Sequence, residues 1–305
     1  MENNDSLAIY IHFPYCKSRC PYCDFFRELL PKNFDEKLLI ERYHQNFSYL
    51  GELLGNRPVH SIFFGGGTPS LLSADAVQQI LDDAARYFTI CDDAEISLEA
   101  NPNTFDRDKF VGFHKAGINR LSLGVQALNE AGLRFLGRTH TLGDAKRAME
   151  LGMQTFEKFS IDLIYARPEQ TWRNWKAELD CALSFGLKHI SLYQLSIEEG
   201  TTFARKKIEP MSDEDAIALY DNTISYLRER GFERYEVSNF AKDENNQSVH
   251  NLVYWQGGDY IGIGEGAHGR FIHQGKIYAS TNGKQLEVLT PEERAEELLL
   301  MGLRV

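Results

Sequence analysis

The sequence predicts an α/β fold, a parallel sheet covered by helices, on three observations. Short β-branched runs alternate with longer stretches of helical periodicity, the rhythm of βα units. Each run is followed by a short polar or glycine-rich segment, and such folds bind ligands beyond the carboxyl ends of their strands. The chain has 305 residues, more than the roughly 250 of one α/β barrel, so a large domain with an appendage is expected.

Six strand candidates stand out: Leu7–His12, Ser61–Phe64, Glu95–Glu99, Arg120–Gly124, Lys158–Ile164 and Lys188–Leu195. The first four lead into the cysteine run Cys16 to Cys23, Gly65-Gly66-Gly67-Thr68-Pro69, Glu99-Ala100-Asn101-Pro102 and Gly124-Val125-Gln126; Asp162 and Gln194 lie near the ends of the last two. Among the helices, Ser73 can cap one whose apolar face carries Val77, Ile80, Leu81, Ala84 and Phe88. Ser212 can cap another, with Ile217, Tyr220, Ile224 and Leu227 as its inner stripe. After Val237 the pattern turns polar and runs into His250-Asn251-Leu252-Val253-Tyr254-Trp255. A boundary near 240 is expected, with residues 1–240 as the main domain and 241–305 as the start of a further region. Thr290-Pro291-Glu292-Glu293 reads as a capping box, followed by Ala295, Leu298 and Leu299 on one face.

Hydrophobic content of 43% and charged content of 25% match a folded globular protein. A net charge of −11 argues against nucleic acid, which needs concentrated Lys and Arg. The start Met1-Glu2-Asn3-Asn4-Asp5 lacks the features of a signal segment, and no stretch approaches the roughly 18 apolar residues of a span. No stable membrane insertion and a cytoplasmic location are the expectation. Five cysteines, three of them clustered, fit a reducing compartment. Cys91 and Cys181 read as small buried hydrophobes.

Cys16, Cys20 and Cys23 stand in Cys-Lys-Ser-Arg-Cys-Pro-Tyr-Cys. Four thiolates would saturate a cubane iron–sulfur cluster, whereas three leave one iron open to an exchangeable ligand. A zinc site completed by His12 or Asp24 is the alternative, although zinc knuckles pair two such units and one is present. The glycines at 65 to 67 let backbone N–H groups approach a charged ligand. Glu99, at a strand end, could accept ribose hydroxyl hydrogen bonds.

The segment from Tyr10 to Phe25 resembles the start of radical S-adenosylmethionine (SAM) proteins, and more narrowly of the oxygen-independent coproporphyrinogen III oxidase-like family. That resemblance implies a partial, open barrel of six βα units, of the TIM type. It also implies a [4Fe-4S] cluster on the three cysteines, with SAM on its fourth iron. Matched residue by residue, Gly66, Gly67 and Thr68 would meet the methionyl amino group. Tyr10, Tyr22, Glu99, Gln126, Arg138 and Asp162 would lie near SAM, with the forked donors of Arg138 on its carboxylate. Phe25 stands where the coproporphyrinogen dehydrogenases carry a fourth cysteine, and fifteen residues precede Cys16, far fewer than in that enzyme. Both departures favour the heme chaperones of the family, and His250-Asn251-x-x-Tyr254-Trp255 is similar to their motif. The implied protein binds heme through His250, a neutral imidazole being a good axial ligand, and delivers it to an acceptor protein; a homodimer is compatible with that role. Oxidative decarboxylation of coproporphyrinogen III is the alternative. His268, in a glycine-rich run, reads mainly as part of a tight loop near the barrel mouth. Members of the family continue with a helical domain, so truncation at Val305 is expected.

Overall fold

All six strand candidates form in the computed structural model, which describes residues 6–104 and 106–305; the polar start Met1 to Asp5 lies outside the described residues. The strands are Leu7–Phe13, Pro58–Gly66, Thr89–Ala100, Arg120–Gln126, Lys158–Tyr165 and His189–Gln194. They pair in that order, all parallel. Side chains alternate between the two faces of a strand, and Ile9, Ile11, Phe13, Ile62, Phe64, Leu98, Leu121, Leu123, Ile161, Leu163 and Ile190 fall on the face covered by helices, where they are buried in the main core. Beside the first strand the sheet continues in parallel with Tyr260–Ile263, then antiparallel to an edge at Gln285–Leu289. Beside the sixth it turns antiparallel through Asn239–Ala241 and ends at Glu233–Arg234. The two edge strands are not neighbours in this order, so the barrel is open.

The helices form where their caps lie; in one of them a single expected inner residue turns outward, and in another the apolar face is exposed. Ser73 caps Ala74–Tyr87, with Val77, Ile80, Leu81 and Ala84 buried. Ser212 caps Asp213–Arg228, yet Ile217 is 61% exposed while Ala216, Leu219, Thr223 and Tyr226 join Leu227 inside. The buried Trp175 indole N–H donates to Thr223 Oγ1 at 2.8 Å, and this long-range bond fixes the rotation of the helix. The Thr290–Glu293 capping box is complete over Pro291–Gly302. Ala295, Leu298 and Leu299 nevertheless face outward, because Arg294 takes the inner position and donates to Glu297 and to the Gly257 carbonyl. Cys91 and Cys181 are half-buried rather than fully enclosed.

Inside the barrel the strand starts are charged. Glu95, 1% exposed, pairs with Arg120 at 3.3 Å and Lys158 at 3.2 Å, and its second oxygen accepts the Val249 N–H at 2.9 Å. Arg120 also donates to the carbonyls of Asn246 and Gln247. The short helix Val249–Trp255 is thereby drawn across the amino ends of the strands, where His250 Nδ1 meets Ser61 Oγ at 3.0 Å. It plugs the foot of the barrel.

Removing one partner of a buried charge pair leaves the other unpaired, at about 3–5 kcal/mol. Glu95→Ala therefore lowers unfolding stability by that order, measured by denaturant titration. A loss below about 1 kcal/mol, the range of exposed pairs, would show that the network does not anchor the plug.

Candidate functional site at the barrel mouth

At the carboxyl ends of the strands lies a cavity of about 440 Å³. Cys16, Cys20, Cys23, Tyr22, Gly66, Gly67, Thr68, Glu99, Gln126, Arg138 and Asp162 all line it. Segments more than 140 residues apart in the chain thus share one wall, because each follows a strand of the same parallel sheet.

The cysteine loop is closed at its base by main-chain bonds: Glu28 N–H donates to the Pro14 carbonyl at 2.7 Å and Leu30 N–H to that of Cys16 at 2.9 Å. Arg27 donates to the carbonyls of Cys20 and Cys23. Thr68 Oγ1 donates to Cys16 Sγ at 3.4 Å and Arg138 to Cys20 Sγ at 3.3 Å, the donors a thiolate needs. Burial pushes the Cys16 and Cys23 thiols up, so metal binding here must displace protons. A single-ion zinc site is not assembled: among the described residues the one trio of His, Cys and carboxylate ligand atoms within 4.8 Å of one another lies elsewhere. Both ring nitrogens of His12 are also engaged, by the Tyr10 hydroxyl at 3.0 Å and the Phe26 carbonyl at 2.9 Å. Three sulfurs held apart, each able to meet its own iron, fit the cluster instead.

The glycine turn differs from the expected cradle of free N–H groups. Gly67 N–H donates to the Phe13 carbonyl and Thr68 N–H to that of Tyr15, and Gly66 N–H donates to Glu99. With those donors taken, the turn has no free N–H cradle at Gly66, Gly67 or Thr68. Its glycines are needed because the loop presses on the first strand: at Gly66 (φ +106) a Cβ would lie 2.6 Å from the His12 ring, and at Gly67 2.4 Å from the Tyr15 carbonyl.

Glu99 is pushed up to about 8 by burial and by the facing Asp162; burial raises Asp162 as well, while Ser122 donates to it at 3.0 Å. The Arg138 guanidinium is already held by Cys20, Tyr22, the Asn101 side chain and the Gly124 carbonyl. In this conformation it orients the cysteine loop rather than standing free for a carboxylate. Gln126 sits at φ +71, at a break in the pairing of the fourth and fifth strands.

Two expected site residues lie off the cavity. Tyr10 is behind its floor, where burial and Glu99 raise the phenol's pKa, and its ring lies 6.3 Å from those of Phe63 and His250. His250 belongs to the plug and is 1% exposed. Its Nε2 meets the Tyr254 hydroxyl at 2.7 Å while Nδ1 is held by Ser61, so neither nitrogen is open to a metal in this conformation. His268, also off the cavity, lies on the strand His268–His273 and is exposed. Asn101, which links Thr68 to Arg138, and Arg27 were not among the expected residues. Asn101 had a signal in its place after the third strand; Arg27 had none beyond its nearness to the cysteines.

A family model, Radical SAM superfamily, matches residues 10–182. The chain belongs to the radical SAM superfamily. It is 40% identical over 97% of its length to the mitochondrial radical S-adenosyl methionine domain-containing protein 1 of Bos taurus, covering 67% of that protein. It is 39% identical over 90% of its length to the heme chaperone HemW of Escherichia coli, covering 73% of it. The fold matches the radical SAM enzyme coproporphyrinogen III oxidase (HemN) of Escherichia coli with a TM-score of 0.82 at 22% identity, over 98% of this chain and 75% of that one. Within the superfamily the chain falls in the oxygen-independent coproporphyrinogen oxidase-like family, near HemW. A [4Fe-4S] cluster and SAM are the cofactors that go with that membership. The donors on Cys16 and Cys20 fit the cluster, and the carboxyl groups of Glu99 and Asp162 on the cavity wall suit the hydroxyl-bearing, cationic SAM. No helix of the described residues is long and apolar enough to cross a membrane.

Hydrogen bonds from a ribose diol are best accepted by an ionised carboxylate, whereas Glu99 without such a ligand holds its proton up to about pH 8. SAM bound through Glu99 therefore displaces a proton: affinity rises with pH towards 8 and levels off above it, falling by up to tenfold per pH unit below. Calorimetry on the reconstituted protein in two buffers of different ionisation heat measures the proton release. A pH-independent affinity in the wild type, matching that of Glu99→Gln, would remove Glu99 from the ligand contacts.

Proposed function

We propose that the chain carries heme and hands it to an acceptor protein, with the cluster and SAM at the mouth acting as the regulator of transfer. One observation carries this reading. Tyr10 stands between the two ends of the barrel, its phenol sensing Glu99 on the cavity floor and its ring 6.3 Å from that of His250 in the plug. A ligand at the mouth and a ligand on His250 therefore share a wall. The relative named heme chaperone HemW, similar over most of this chain, supports the same reading. Phe25, 63% exposed, leaves the cysteine loop without a fourth thiol at that position and weighs against the decarboxylase alternative.

Burial drives the His250 imidazole down to about 3, so the ring is neutral throughout the physiological range and has no proton to shed before ligating iron. The Trp255 indole N–H is buried without a partner, a free donor for a heme propionate. Heme uptake on this reading requires the His250–Tyr254 hydrogen bond to open. That step makes ligation dependent on movement of the plug.

A neutral hydrogen bond is worth about 1 kcal/mol net, so Tyr254→Phe, which frees Nε2, tightens heme binding about fivefold. His250→Ala instead weakens the Soret band. Spectral titration of the reconstituted protein follows both. Wild-type titration curves in both variants would sink the assignment of His250.

A further inference from the structure

We propose that His60, Cys91 and Asp93 form a second metal site, selective for a borderline divalent cation such as zinc, at the foot of the second and third strands. The pairing of those strands creates it. Val59 lies opposite Ile90 and Ser61 opposite Glu95, so residues 91–94 of one strand face the single residue His60 of the other. The extra residues bulge outward and bring Cys91 Sγ to 3.6 Å from His60 Nε2. The ligand atoms of His60, Cys91 and Asp93 all lie within 4.8 Å of one another, a clustering that no other trio of His, Cys or acidic groups reaches among the described residues.

Imidazole, thiolate and carboxylate are each zinc donors, at about 2.0–2.3 Å from the metal, and a tetrahedral site places such donors roughly 3.3–3.8 Å apart. Closing the observed trio onto one ion needs side-chain shifts on the order of an ångström. The mixed nitrogen, sulfur and oxygen set selects zinc over magnesium or calcium, which prefer oxygen alone. His60 and Asp93 are exposed and Cys91 half-buried, so the ion has a path from solvent. Three protein donors leave a fourth position for water or for a group from a partner. Binding releases the Cys91 thiol proton to solvent. The site is separate from the cysteine loop: His60 is six residues from Gly66 along one strand, a distance of about 20 Å.

The test uses the full chain with its iron–sulfur cluster reconstituted anaerobically, which occupies Cys16, Cys20 and Cys23. Equilibrium dialysis against micromolar zinc, read by elemental analysis, is expected to leave one zinc more per chain in the wild type than in His60→Ala or Cys91→Ser. Asp93→Asn is expected to weaken retention about tenfold. A second readout is maleimide labelling followed by mass spectrometry, in which zinc slows modification of Cys91 severalfold while Cys181 serves as the internal reference. Equal zinc content in wild type and variants, whether from the cysteine loop or from adventitious binding, overturns the proposal, as does an unchanged labelling rate at Cys91.

Discussion

The buried Glu95 carboxylate is the contact on which the barrel depends. An open sheet of parallel strands has to fill its interior, and the strand starts bring two cations, Arg120 and Lys158, to that interior. Arg120, almost fully buried, could not stay there unpaired. Glu95 balances its charge, also pairs with the partly exposed Lys158 and takes a main-chain N–H of the plug, while Arg120 supplies donors to two carbonyls just ahead of it. The polar network serves as an address: it specifies which segment closes the foot, something a wholly apolar interior would not do. With the foot closed, the other end is left as the opening for ligands.

Between foot and mouth the wall is a continuous aromatic contact. Phe63 stacks at 5.1 Å on His250, Tyr10 lies against both rings, and its hydroxyl holds His12, whose other nitrogen takes the Phe26 carbonyl in the cysteine loop. His12 is therefore a strut: its carbonyl accepts the buried Tyr43 hydroxyl at 2.6 Å while its ring fixes the far end of the loop that carries the thiols. The Phe26 carbonyl accepts, so Nε2 carries the proton and Nδ1 accepts from Tyr10. One tautomer satisfies the whole run from His12 to Tyr10.

Much of this was legible in the chain because it is local. β-branched runs mark strands, and a parallel sheet puts the segment after each strand on one rim, which is why nearly every residue expected at the site lines the cavity. What could not be read depends on partners distant in sequence. The inward charges of Glu95 and Arg120 follow the same alternation as solvent-facing ones, and nothing local says that the other side of the strand is a closed barrel. Ile217 sits at helical spacing with its neighbours, but a hydrogen bond from Trp175, 48 residues from Thr223, decides which face turns in. The glycine turn was recognisable as a close approach, while the direction of its N–H groups depends on carbonyls of the first strand. His250 was found by its motif; that it lies on the plug emerges from the pairing of Arg120 with carbonyls more than a hundred residues away.

Glu99 and Asp162 lie in a wall that desolvates both, and the charge of Asp162 further disfavours that of Glu99. A ligand with hydroxyl donors and a positive charge suits such a pair, because it stabilises the ionised carboxylates. Any such stabilisation also changes the field at the Tyr10 phenol, already raised by Glu99, and Tyr10 is in contact with His250. If heme occupies the plug as proposed, the coupling is reciprocal: whatever a ligand at the mouth does to heme affinity, heme must do to the affinity at the mouth by the same factor. On the proposed reading, the aromatic wall from Tyr10 to His250 is the contact through which a ligand at either end would bias the other.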